Sequence, residues 1–170
     1  MTSKKKANNY ELYEINDWED EKLDLNNNVL RGIYSFGFEK PSSIQKKALY
    51  PMTKNFHEGR RRDITAQAQS GTGKTGAFVI GALNILKADI QSPQVLILAP
   101  THELAHQILN VVENLSRYIK NVNPILLFGG TSVDKNKKQL NSLKPKIIVG
   151  TPGRINDLVR RKFLKPESLS

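Results

Sequence analysis

The chain has no cysteine, which excludes disulfide bridges and thiolate metal sites. It has no apolar run of about 18 residues, and no signal-peptide pattern follows Met1, so neither a membrane span nor an export address is written in it. An intracellular setting, cytoplasmic or nuclear, fits both absences. Acidic residues are scarce beyond the beginning. Residues 1–24 carry four bases and seven acids, whereas residues 25–170 carry 22 bases and nine acids. A basic body behind an acidic leader fits a polyanionic partner such as nucleic acid, or charge that serves solubility alone.

What is present is ordinary for a globular domain. Hydrophobic residues make up 38% and charged residues 25% of 170 positions, enough for one domain with its own core. The polar, acidic composition of residues 1–24 predicts a flexible leader, with Lys4–Lys6 solvated or touching nucleic acid. Trp18 stands out there, since an isolated tryptophan in such a stretch usually docks on something. The folded unit is expected over residues 25–170.

One stretch organises the rest: Ala68-Gln69-Ser70-Gly71-Thr72-Gly73-Lys74-Thr75. Asp63–Gln67 ahead of it reads as a strand, and the apolar Gly76–Leu86 after it reads as a helix. A strand, a glycine turn ending in Gly-Lys-Thr and a helix form a phosphate cradle. The glycines let successive N–H groups turn toward an anion, and the helix adds the positive end of its dipole. Lys74 supplies a cation for phosphates and Thr75 a hydroxyl for Mg²⁺. The strict pattern has Gly where this chain has Ala68, a departure that a negative φ accommodates.

The remaining elements follow from caps and spacing. Asn26–Asn28 offer caps to a helix over about Val29–Phe36, stopped by Gly37. Ser42 or Ser43 caps a second helix with Ile44, Ala48, Leu49, Met52 and Phe56 on one side, which Pro51 should kink or divide. Gly59 ends it, and Arg60–Arg62 form a basic loop. Val95–Ala99, Ile125–Phe128 and Lys146–Gly150 read as buried parallel strands. Helices are expected over His102–Ile119, Val133–Leu143 and Arg154–Arg161. The alternation predicts an α/β fold on a parallel sheet of four strands flanked by helices. In such a sheet the loops after the strands gather at the carboxyl edge, where ligands bind. Pro100-Thr101, Gly129-Gly130 and Thr151-Pro152-Gly153-Arg154 would then share one side of the molecule with the cradle.

Five stretches, taken together, carry a resemblance. Gly37–Gln45, Ala68–Thr75, Pro100–Ala105, Gly129-Gly130 and Thr151–Arg154 resemble, in order and spacing, the motifs of the DEAD-box RNA helicases, within about residues 23–165. Leu30–Tyr34 and Gly37–Ser42 are most similar to the initiation factor 4A group. The resemblance implies a RecA-like first helicase domain, incomplete toward its C-terminal end, that binds ATP with Mg²⁺ and single-stranded RNA without sequence preference. The nucleotide site it implies is Phe38, Lys40, Pro41 and Gln45 together with Ala68, Gln69, Ser70, Gly71, Thr72, Gly73, Lys74 and Thr75. Gln45 would read adenine, because an amide can accept from N6–H₂ while donating to N7. Phe38 would stack on the base or serve as a plain core residue, and Trp18 would stand for an upstream aromatic, at a spacing a residue or two longer than usual. The implied RNA surface is Pro100, Thr101, Gly129, Gly130, Thr151, Pro152, Gly153 and Arg154, meeting chiefly the sugar–phosphate backbone. Where the family usually has Arg, this chain has His102, so any phosphate contact or supporting ion pair there is expected to be weaker; a structural role for His102 is the other reading.

The family's Asp-Glu-Ala-Asp, its Ser-Ala-Thr motif and its second RecA-like domain with arginine fingers do not occur in these residues. The resemblance therefore implies the N-terminal part of a helicase that binds nucleotide without turning it over, with the missing domain and protein regulators as partners and no membrane. A short noncatalytic module for RNA or a protein partner is the alternative. A different P-loop enzyme, such as a small kinase or GTPase, leaves Gly37–Gln45 unexplained.

Overall fold

A computed structural model describes residues 13–57 and 63–169. Lys4–Lys6, Gly59 and Arg60–Arg62 lie outside the described residues, as does the side chain of Phe56. Six helices and three strands alternate: α1 Asn27–Ser35, α2 Ser43–His57, α3 Lys74–Asn84, β1 Val95–Leu98, α4 His102–Leu115, β2 Ile125–Leu127, α5 Val133–Leu143, β3 Ile147–Gly150 and α6 Pro152–Arg160, followed by a 3-10 turn at Pro166–Ser168.

The sheet is parallel, in the order β1-β3-β2. Apolar residues alternate across it, as the period of two requires. Ile147 and Val149 enter one cluster with Val29, Ile33, Leu49, Val79, Ile80, Ala105 and Val112 of α1–α4. Ile148, between them, enters a second cluster with Leu140 of α5 and with Ile155 and Leu158 of α6. Four helices therefore cover one face and two cover the other. Both faces being buried explains why β3 is hydrophobic at every position.

Helix starts follow their caps. Asn26 accepts from the N–H of Asn28 at α1, and Thr101 accepts from that of Leu104 at α4. Helix α4 ends at Leu115, four residues short of expectation, and the chain turns tightly through Ile119, whose N–H donates to the Ser116 carbonyl. Pro152 and Gly153, expected in a turn, form the first positions of α6, where a missing proline N–H costs nothing. Pro51 sits inside one continuous α2 and does not divide it. The apolar side of that helix packs on the core, with Leu49 fully buried, and the Thr53 hydroxyl caps the Leu49 carbonyl at 3.1 Å.

Two expectations need correction. Residues 63–67 form no strand: all five are exposed and pair with nothing in the three-stranded sheet. A strand needs a hydrogen-bonding neighbour, and none of the three described strands pairs with this segment. The second concerns the leader. Residues 13–24 pack against the body instead of trailing from it, with Ile15, Trp18 and Leu23 each only 1% exposed. The Ile15 N–H donates to Lys46 of α2 at 3.1 Å, and the Tyr13 hydroxyl donates to Asp20 at 2.8 Å. Three large apolar side chains suffice to dock a segment whose average composition is polar.

No described helix is long and apolar enough to cross a membrane.

Candidate nucleotide and nucleic-acid site

The glycine turn takes the backbone shape its sequence requires. Gly71 and Gly73 have φ of 77° and 91°, in the left-handed region that disfavours other residues. Gly73 is the N-cap of α3, and no side chain caps that end. Its first N–H groups therefore have neither intrahelical nor side-chain partners. The Lys74 ammonium folds back over the turn, donating to the Ala68 carbonyl at 2.5 Å and also to the Gln69 carbonyl. Thr72 closes the turn through its hydroxyl to Gln69, at 2.8 Å. Gln69, Ser70 and Gly71 are exposed, while Thr75 is half-buried at the first turn of α3.

The upstream stretch is built onto this turn. Gln45 is 2% exposed; its Oε1 accepts from the Ser42 N–H at 2.7 Å and its Nε2 donates to the Gly73 carbonyl at 3.2 Å. A Cβ added at Gly76 would lie 2.8 Å from both Gln45 Nε2 and Phe38 Cε2. Only glycine lets α3 approach so closely. Phe38 is partly buried in the larger core cluster, stacked on Trp18 (centroids 6.4 Å apart) and edge-on to Phe36 (4.9 Å). The Trp18 indole N–H donates to the Phe38 carbonyl at 2.9 Å. Pro41 is buried and Lys40 exposed. Ser42 Oγ is the one buried side-chain polar atom among the described residues with no hydrogen-bond partner, and it lies 2.9 Å from where a Cβ on Gly73 would stand.

The second group of residues lies at the carboxyl edge of the sheet. Parallel register puts Leu98, Gly150 and Leu127 in one row, so the loops that follow all leave the same edge. The Ala99 N–H donates to Gly150 and the Thr151 N–H to Leu127, at 2.9 and 3.0 Å, carrying the ladder into the loops. Pro100, Thr101, Gly130, Pro152 and Gly153 are exposed, Gly129 and Arg154 half-exposed, and Thr151 almost buried. Arg154 turns inward: Nη1 donates to Asn136 Oδ1 at 2.6 Å and Nη2 to the Thr131 carbonyl at 2.7 Å.

His102 and His106, one turn apart on α4, both lie against Phe128, with ring centroids 4.6 and 5.7 Å away. Residues 102–106 read His-Glu-Leu-Ala-His, the spacing of two histidines on a zinc helix. No third ligand converges there: among the described residues no group of three His, Cys, Asp or Glu could hold a metal. Beside Phe128 a groove of about 360 Å³ runs between α4 and α5, lined by His106, Thr131, Lys135, Asn136 and Gln139. Asn136, central to this region and 2% exposed, went unnoticed in the sequence. A single polar residue on a lysine-rich helix carries no periodicity to mark it.

A parallel sheet covered on both faces, with a glycine turn leading into a helix and further small-residue loops at its carboxyl edge, is the build of a RecA-like P-loop domain. Comparison narrows the class. The profile of the DEAD/DEAH box helicases matches residues 42–169, and the chain belongs to that family. It is 43% identical over 149 residues to an ATP-dependent RNA helicase eIF4A of Pyricularia oryzae, covering 88% of this chain and 36% of that protein. With the eIF4A of Yarrowia lipolytica it is 47% identical over 145 residues, covering 85% and 35%. Among solved structures, Saccharomyces cerevisiae Dbp5 bound to RNA and ADP BeF3 superposes with a TM-score of 0.76 at 38% identity, over 88% of this chain and 36% of that one. A DEAD box protein from Methanococcus jannaschii gives 0.82 at 32% identity, over 92% and 40%. The chain thus spans about a third of the length of the curated relatives it matches.

Proposed function

We propose that this chain is the ATP- and RNA-binding N-terminal part of an RNA helicase of the eIF4A type, and that the whole protein couples ATP hydrolysis to local RNA unwinding. The observation that carries the reading is the bond between Gln45 and Gly73, which supports Gln45 as an adenine-reading side chain held against a phosphate-binding turn. A side-chain amide has two lone pairs on oxygen and two hydrogens on nitrogen. Ser42 uses one acceptor site and Gly73 one donor. One of each is left, the pair that adenine N6–H₂ and N7 require and that guanine, with an acceptor at position six, does not match. One such pair is worth about 1–3 kcal/mol of discrimination.

Phosphates would displace Lys74 from the Ala68 and Gln69 carbonyls and meet the free amides at the start of α3. Thr75 fits Mg²⁺ as a hydroxyl ligand on that first turn; the ion, once bound, would neutralise phosphate charge. Phe38, Lys40 and Pro41 would wall the base side, and Ala68–Gly73 the phosphate side. The residues of the three aligned loops, Pro100-Thr101, Gly129-Gly130 and Thr151–Gly153, would grip the backbone of single-stranded RNA, with Arg154 beside them bonded to Asn136 and Thr131. Backbone grip confers register without sequence preference and weakens steeply with salt. Asp-Glu-Ala-Asp is absent from these residues, so this stretch by itself is proposed to bind nucleotide without hydrolysing it. A second RecA-like domain and regulatory proteins are the partners proposed for the whole protein, in the cytoplasm or nucleus.

Titrating the chain with labelled single-stranded RNA of two unrelated sequences, at several salt concentrations, tests the RNA half of this reading. Similar affinities with a steep salt slope are expected. No binding at low salt would overturn it.

A further inference from the structure

We propose that Asn136 is a positioning residue for RNA: through Arg154 it locks the loop after β2 to the loop after β3, so that both present one preformed surface. The inference rests on the RNA reading above and adds to it a residue outside every motif that suggested it. Asn136 is 2% exposed and hydrogen-bonded at both ends of its amide. Its Oδ1 accepts from Arg154 Nη1 at 2.6 Å and from the Thr131 hydroxyl at 3.3 Å, and its Nδ2 donates to Gln139 Oε1 at 3.2 Å. Thr131 is held on three sides. Its hydroxyl shares its single proton between Asn136 Oδ1 and the Phe128 carbonyl, 3.1 Å away, and its own carbonyl accepts from Arg154 Nη2 at 2.7 Å. The two glycines before it are thereby fixed at their far end. Gly130 sits at φ 87° with nothing within 4 Å of where a Cβ would stand, so the outer side of the loop is open.

Arg154 comes from the first turn of α6, which follows β3. Its guanidinium therefore bridges two loops that leave neighbouring strands. An arginine poised to clamp phosphate would hold its fork outward. This one commits an N–H on each of its two terminal nitrogens to protein oxygens. Its charge remains near the surface, but its geometry is that of a brace. Preforming a loop removes ordering entropy from the binding step, so a residue that touches no RNA can still set its affinity.

The test compares the unaltered chain with Asn136→Ala, Asn136→Asp, Arg154→Ala and the double alanine variant. Amide hydrogen exchange over residues 128–132 is read without RNA, and RNA affinity is read against salt. Asn136→Ala is expected to speed exchange at Gly129–Thr131 and to weaken RNA binding about tenfold. The slope of log affinity against log salt should stay unchanged, because no phosphate contact is removed. Arg154→Ala should give a similar loss, and the double variant no more than either alone. Asn136→Asp keeps the acceptor for Arg154 and should restore most of the affinity despite its added negative charge, a result that mere unfolding of the alanine variant cannot mimic. Unchanged exchange in Asn136→Ala would overturn the proposal. So would a silent Asn136→Ala beside an Arg154→Ala whose salt slope falls by about one, the mark of a direct phosphate contact. If the unaltered chain binds no RNA, the RNA reading fails and the positioning role with it, while the exchange data still report whether the brace exists.

Discussion

The Gln45 side chain donates from Nε2 to the carbonyl of Gly73 at 3.2 Å, joining two stretches 28 residues apart in the chain. Through this bond the upstream segment is tied to the glycine turn. Gln45→Ala removes the bond and leaves the Ser42 N–H without its partner, while the Gly73 carbonyl keeps the Ala77 N–H at 3.0 Å. Stability should fall by about 1–3 kcal/mol, the cost of a buried group left unpaired. Chemical denaturation measures it. The distinction between adenine and guanine nucleotides should shrink in the same variant.

Gly32 on α1 sits where a Cβ would come within 2.0 Å of the Leu115 carbonyl oxygen. That oxygen is backbone at the end of α4 and cannot swing aside. Gly32→Ala must push α1 away from α4 and is expected to cost about 1–3 kcal/mol or more. The denaturation midpoint should drop while nucleotide selectivity in the folded fraction persists. A variant as stable as the unaltered chain would contradict this helix contact.

Trp18 is the only tryptophan, so its fluorescence reports the docked segment directly. Trp18→Phe keeps the apolar bulk but loses the indole bond to Phe38, a change expected to cost about 1 kcal/mol. Thermal unfolding followed by circular dichroism checks it. An emission maximum as red as that of free tryptophan in the unaltered chain would show that residues 13–24 are not docked.

The same segment should respond to acid. Burial pushes the Asp20 carboxyl up, but bonds from the Tyr13 hydroxyl and from the Asn16 and Lys22 N–H groups outweigh it and hold the group below its ordinary value. A carboxyl that is more acidic when folded stabilises the fold above the ordinary range and loses that contribution as pH falls through its folded value. Tyr13 is shifted the other way, upward, chiefly by its bond to Asp20. Its contribution holds below about pH 10 and fades above. Trp18 emission should therefore shift red on acidification below about pH 4, and less so in Asp20→Asn, which has no charge to lose.

Much of this was legible in the residues. Helix α5 runs from Val133 to Leu143 as its pattern indicates. The start of α4 at His102 and the three apolar strands stand where expected, because local chemistry and burial on both faces specify them. What failed depended on partners distant in sequence. Asp63–Gln67 has strand composition but pairs with no strand among the described residues. Ile15, Trp18 and Leu23 are too dispersed to alter the polar average of their segment, yet each finds a pocket. Lys146, just before β3, is 2% exposed with its ammonium donating to the Lys87 and Ala88 carbonyls at 2.9 and 2.8 Å. Nothing in its surroundings in sequence marks that lysine as buried. Asn136 and Arg154 likewise meet only through the fold.

The central claim, an adenine-selective phosphate turn, is tested most directly by thermal unfolding with Mg²⁺ and either ADP or GDP. A ligand present at 100 times its Kd stabilises a fold by about 2.7 kcal/mol. The account predicts a clear upward shift with ADP, a much smaller one with GDP, and loss of the ADP shift in Lys74→Ala. Equal shifts with both nucleotides, or an undiminished ADP shift in Lys74→Ala, would contradict it.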